Sequence, residues 1–191
     1  MDMDNEQPQF IEVPAAKDSH RWVAVTALLL AIGVILHTIS PNIGGVTPNW
    51  TIAMYSITIG LTNPSLSRAL GIGFIAGLTI VPSSKSAFPL GNVASEICGA
   101  LTAAILVKAM LYMGLRDFKF RPFITGFFAT VVSGGVFTFI LKIILNLPLH
   151  VWTNAMLPVV MVVGALNGVI TQALFAPVQK LFFMQEGKRH E

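Results

Sequence analysis

Apolar runs close to the length of a membrane crossing recur along this chain, and charge is confined to the breaks between them. Between Arg21 and Gln185 the only acids are Glu96 and Asp117. A helix needs about 20 apolar residues to cross hydrocarbon, and a backbone in lipid must satisfy its own hydrogen bonds, so such a chain is expected to fold as an all-α bundle. Charged residues make up 11% of the 191 residues, against roughly a quarter in an ordinary soluble domain, which excludes a soluble enzyme. The sequence pI near 9.3 does not imply a nucleic-acid partner, because cytoplasmic loops of membrane proteins favour positive charge. The single cysteine, Cys98, leaves no intrachain disulfide and no cysteine cluster for zinc.

Proline, glycine, asparagine and charge clusters divide the apolar sequence into six expected spans, at about 22–40, 51–61, 66–81, 93–115, 122–147 and 152–183. The second is too short for an ordinary crossing. It reaches across only if Trp50 and the flanking loop enter the membrane or the protein lines a cavity there, which marks the segment as functional. The expected organisation is a polar tail over 1–20, a six-helix transmembrane domain over 21–184 and a second tail over 185–191. With both termini cytoplasmic, Lys17, Arg21, Arg68, Arg116, Lys119, Arg121, Lys180, Lys188 and Arg189 lie inside and Lys85 lies outside. Lys108 then snorkels to the inner end of its span and Lys142 lies near the outer end of the fifth.

No phosphate-binding loop, His-Glu-x-x-His motif or Gly-x-Ser-x-Gly elbow occurs in the chain, so it carries no ATPase of its own. No cofactor or metal site is expected. Gly71, Gly73 and Gly77 read as close helix packing, as do the small pairs Ala27 and Ala31, Gly99 and Ala103, and Gly164 and Gly168. A carboxylate near hydrocarbon needs a partner, water or a ligand, which singles out Glu96. Helical spacing places Asn92, Ser95, Glu96 and Gly99 on one face, a polar patch ending in a glycine that admits something bulky. The alternative is a helix-start acid favoured by the macrodipole and paired with Lys85. Lys85 and Phe88 in the loop 83–92, with Trp50, Tyr55 and Trp152, offer a cation, ring faces and hydrogen bonds, or else an interfacial aromatic belt. His37, Asn167 and Gln172 read as interior hydrogen-bonding groups.

The six spans, the stretch Ala27-Leu-Leu-Leu-Ala31 and the missing ATPase motif resemble the substrate-binding S-components of energy-coupling factor (ECF) transporters. Within them, Gly44-Gly45-Val46-Thr47-Pro48-Asn49 and Ala87-Phe88-Pro89-Leu90-Gly91-Asn92 are similar to the bacterial tryptophan-transporter branch. The resemblance implies a multi-pass bacterial membrane protein that binds tryptophan or a related solute without catalysis. It also implies that Ala27 and Ala31 pack against a transmembrane coupling subunit, with two separate ATPase subunits driving uptake.

Chemistry then suggests roles within a binding set of Asn49, Trp50, Lys85, Phe88, Asn92 and Glu96. Glu96 accepts the ammonium, Lys85 or the positive start of the fourth span meets the carboxylate, and Trp50 and Phe88 contact the ring. A vitamin or vitamin precursor as solute would instead lean on Asn49, Asn92 and Lys85. A membrane-embedded enzyme pairing Glu96 with His37 is a remoter alternative, since no nucleophile with a positioned base accompanies them.

Overall fold

A computed structural model describes residues 21–40, 48–115 and 118–187. The tail 1–20, the loop stretch 41–47 with Gly44, Gly45 and Val46, Arg116 and Asp117, and residues 188–191 lie outside the described residues.

The described chain is helical throughout. The helices are α1 (Arg21–Ile39), α2 (Trp50–Thr62), α3 (Leu66–Ile80), α4 (Gly91–Tyr112), α5 (Arg121–Ile144), a single turn α6 (Leu149–Val151) and α7 (Leu157–Gly187). A 3-10 turn, Val81–Ser83, follows α3, and a π turn, Trp152–Met156, joins α6 to α7. Five segments are long and apolar enough to cross a membrane: Trp22–Ile39, Leu66–Ser83, Gly91–Tyr112, Arg121–Ile144 and Leu149–Leu181.

The breaks have local causes. α2 ends where Asn63 takes a left-handed conformation (φ 40°), its N–H returning to Ile59 O at 2.9 Å, and Pro64 prevents continuation. α4 stops at Tyr112, short of the expected Leu115. Gly114 at φ +72° lets its N–H reach Leu111 O (3.1 Å) and Leu115 N–H reach Met110 O (2.9 Å), a glycine-closed helix end. α5 ends similarly, before Asn146 at φ 50°.

The short second span is the centre of the bundle. α2 has 13 residues and rises only about 20 Å, yet every residue from Thr51 to Ile59 is buried. It touches α1, α3, α4, α5 and α7. A helix sheathed on all sides by protein does not have to match the hydrocarbon thickness.

α3 and α4 pack almost backbone to backbone. A Cβ at Gly73 would lie 2.6 Å from Glu96 O and 2.7 Å from Ile97 Cα, and one at Gly77 would lie 2.9 Å from Asn92 O. These two glycines hold the turn bearing Asn92 and Glu96 in place, while Gly71 faces open space. Gly164 and Gly168 bring α7 against Val131 and Phe123 of α5. Lys108 Nζ donates to Asn63 Oδ1 at 3.1 Å, tying α4 to the end of α2. Arg68 sits 5.1 Å over the Trp22 ring and ties α3 to the start of α1.

α1 lies at the periphery, in contact with α2 and α3. It buries Thr26, Leu29, Leu30 and Gly33 and leaves Ala24, Ala27, Leu28, Ala31 and Ile35 exposed.

Candidate functional site

The end of α1, the start of α2, the loop after α3, the start of α4 and facing stretches of α5 and α7 enclose a cavity of about 690 Å³. Its two sides differ in chemistry. Asn49, Ser83, Ser84, Asn92, Ser95 and Glu96 make a polar side, whereas Phe137, Met156, Val159, Val160 and Val163 make an apolar one from α5, the π turn and α7.

Glu96 stands at the bottom of the polar side, 1% exposed. Its Oε1 accepts a hydrogen bond from Asn49 Nδ2 at 2.9 Å. Tyr55 of α2 and Ser133 of α5 stand beside the same carboxylate, and Glu96 Oε2 and the Tyr55 hydroxyl are both buried without a hydrogen-bond partner among the described residues. The alternative pairing with Lys85 is not what holds the acid. Lys85 is exposed at the rim of the cavity, and the nearest support for Glu96 is an uncharged amide.

Of the six expected binding residues, Asn49, Lys85, Asn92 and Glu96 line the cavity, and Trp50 and Phe88 do not. Trp50 donates its indole N–H to Ser40 Oγ at 2.6 Å, and its ring packs on the cluster of Leu29, Met54, Ile57 and Phe175. Phe88 is half-buried behind the wall, where it and Phe137 flank Gly91. Asn92 Nδ2 is engaged with Ser84 Oγ (3.1 Å) and Pro89 O (2.8 Å), so it moors the outer loop to α4. The first N–H groups of α4 are also engaged, Gly91 with Phe88 O, Asn92 with Pro89 O and Val93 with Leu90 O. That leaves Lys85, rather than the helix start, as the positive group facing the cavity.

Gly99 does admit something bulky, but from within the protein. A Cβ there would collide with the Tyr55 hydroxyl and lie 3.0 Å from Ser133 Cβ. The residue therefore makes room for the phenol beside Glu96. Asn167 is fully buried and donates through Nδ2 to Asn49 O (3.1 Å) and Thr130 Oγ1 (3.0 Å). Gln172 accepts from Phe123 N (3.2 Å) and donates to Lys119 O (3.0 Å). His37 borders the cavity with Nδ1 3.4 Å from Pro48 O.

The α5 and α7 wall is absent from the residues singled out by sequence. Its signal was present in Thr130, Ser133, Gly134 and Phe137, which follow the same i, i+3, i+4, i+7 spacing as Asn92, Ser95, Glu96 and Gly99. Without a charge in the stripe, nothing separated it from ordinary packing. Trp152 fastens the far rim, donating Nε1 to Thr138 Oγ1 at 3.1 Å, and Phe139 meets it edge-on at 5.4 Å. The adjoining π turn supplies Ala155 and Met156 to the cavity. Such bulges recur at functional sites because they turn side chains out of helical register.

Among the described residues no three His, Cys, Asp or Glu side chains gather as a metal site. The arrangement offers recognition: one buried acceptor, one cation at the rim, many hydroxyls and an apolar slot.

The family described as tryptophan transporter TrpP matches residues 19–183. A probable tryptophan transport protein of Clostridium acetobutylicum is 29% identical over 163 residues, covering 82% of this chain and 90% of that protein. One of the same description from Clostridium perfringens is 31% identical over 175 residues, covering 86% of this chain and 94% of that protein. No solved structure matches the chain.

Proposed function

This chain belongs to the tryptophan transporter TrpP family, and on that premise we propose that it captures tryptophan outside the cell as the substrate-binding subunit of an ECF uptake transporter in a bacterial cell membrane. The observation that carries the reading is the buried Glu96, held by Asn49 on the polar side of a cavity large enough for an amino acid, with an apolar wall lining the same cavity. The Glu96 carboxylate receives the ammonium, Lys85 at the rim meets the ligand's carboxylate, and the indole lies against Phe137, Met156 and Val160. The ligand's ammonium supplies the countercharge that a buried carboxylate needs, and charge-assisted bonds are the stronger kind. Trp50 and Phe88 support the site from behind: Trp50 fastens the end of α1, and Phe88 backs the ring wall.

Inward delivery depends on partners, since the chain has no nucleotide-binding motif. The alanine face of α1 docks on a transmembrane coupling subunit, which two ATPase subunits drive. Small side chains suit this, because helix association in lipid rests on close van der Waals approach.

Equilibrium dialysis of purified protein with radiolabelled L-tryptophan tests the solute. Tryptophan should bind, and unlabelled indole-3-propionate, which lacks the ammonium, should compete at least tenfold less well. Equal competition would overturn the proposed pose, and a co-purifying vitamin would overturn the solute.

The bias of lysine and arginine toward one side supports a cavity open to the outside. Single cysteines at Ser86 and His150, in a Cys98→Ala background, should react with a membrane-impermeant thiol reagent in intact cells, and Lys119→Cys should react only after lysis. The reverse pattern would turn the cavity to the cytoplasm and defeat capture from outside.

A further inference from the structure

We infer that Asn49 is a positioning residue that presents Glu96 to the ligand, rather than a ligand contact in its own right; this rests on the reading of Glu96 as the ammonium acceptor. The Asn49 side chain is occupied at both ends. Oδ1 accepts from Ile52 N at 3.4 Å and caps α2, while Nδ2 donates to Glu96 Oε1 at 2.9 Å. Its carbonyl accepts from Asn167 Nδ2 at 3.1 Å, and that amide is itself fixed on Thr130 Oγ1 at 3.0 Å. The rotamer of the carboxylate is thus set from α2, α5 and α7 together.

The residue type matters. Asparagine offers an N-cap acceptor and an uncharged donor in one short side chain. A lysine or arginine in its place would neutralise Glu96 and compete with the ligand's ammonium. An aspartate would cap equally well but set a second carboxylate against the first. The Asn49 bond holds the carboxylate through Oε1 from the side of α2.

Asn49→Ser separates the two tasks, because serine caps a helix as well as asparagine does but has no N–H to give Glu96. Asn49→Thr is a second capping variant. Both should melt in detergent within a few degrees of wild type and bind radiolabelled L-tryptophan about tenfold more weakly, the loss expected for a charge-assisted bond. The decisive readout is the double-mutant cycle. In a Glu96→Gln background, where no charge remains to orient, Asn49→Ser should cost less than about twofold. A full tenfold cost in both backgrounds would make Asn49 a direct ligand contact and overturn the inference, as would wild-type binding by both capping variants. Wild-type binding by Glu96→Gln alone would instead remove the underlying reading of Glu96, a result visible before the second substitution is made.

Discussion

Glu96→Gln should weaken L-tryptophan binding by about 10- to 100-fold, the range for losing a hydrogen bond to a charged group, while the detergent-solubilised protein keeps its melting temperature. The substitution keeps the shape of the side chain and its bond to Asn49, since the amide oxygen can still accept from Nδ2. What it removes is the charge, and it offers an N–H where the ligand's own donor must sit. Folding should survive because no cation among the described residues pairs with this carboxylate; burying a neutral amide costs less than burying an unpaired anion. Isothermal titration of both proteins decides the matter. Unchanged affinity would exclude the ammonium contact, and a collapse in stability would assign Glu96 to the scaffold.

Ala27→Trp and Ala31→Trp should each abolish tryptophan uptake, and co-purification with a coupling subunit, without weakening binding to the isolated protein. Both alanines are exposed on the side of α1 turned away from α2, while Thr26, Leu29, Leu30 and Gly33 make the buried contact. An indole added on that outer side therefore meets nothing within the chain. The cavity touches α1 only at His37 and Thr38, with Ser40 just past its end, and Ala27 lies about 15 Å back along the helix from His37. Uptake into vesicles carrying the assembled transporter, set beside dialysis of the isolated variants, separates coupling from capture. Wild-type uptake by both variants would remove the alanine face as the docking surface.

Much of this protein is legible residue by residue. The breaks at Pro41, Asn63 with Pro64, and the loop before Gly91 follow from backbone chemistry and lie within a few residues of the observed helix ends. Glu96 stood out because an acid in an apolar run is costly, and its face of Asn92 and Ser95 does border the cavity. Trp50 and Phe88 were drawn toward the solute by their residue type alone. An aromatic ring suits a ligand, a lipid interface and a protein core equally well, and the structure puts Trp50 in a core cluster and Phe88 behind a wall. The apolar half of the cavity was missed for the converse reason, since valines on α7 and a methionine just before it look the same whether they face lipid, another helix or an indole.

The sequence by itself determined the membrane-spanning helical character, the unusual shortness of the second span, the alanine stripe of α1 and the acid set in an apolar run, Glu96. Each is a property of a local stretch, governed by hydrocarbon thickness, backbone hydrogen bonding and the cost of charge in an apolar setting. Only the tertiary structure decided that α2 is enclosed by its neighbours, that Gly99 makes room for Tyr55, that Asn49 rather than Lys85 holds Glu96, and that α5 and α7 build the opposite wall. In a soluble helix the contrast between wet and buried faces reveals which side packs inward. In lipid both sides are apolar, so the choice of neighbour rests on steric fit and on hydrogen bonds between distant residues, and neither is written in the periodicity of any one helix.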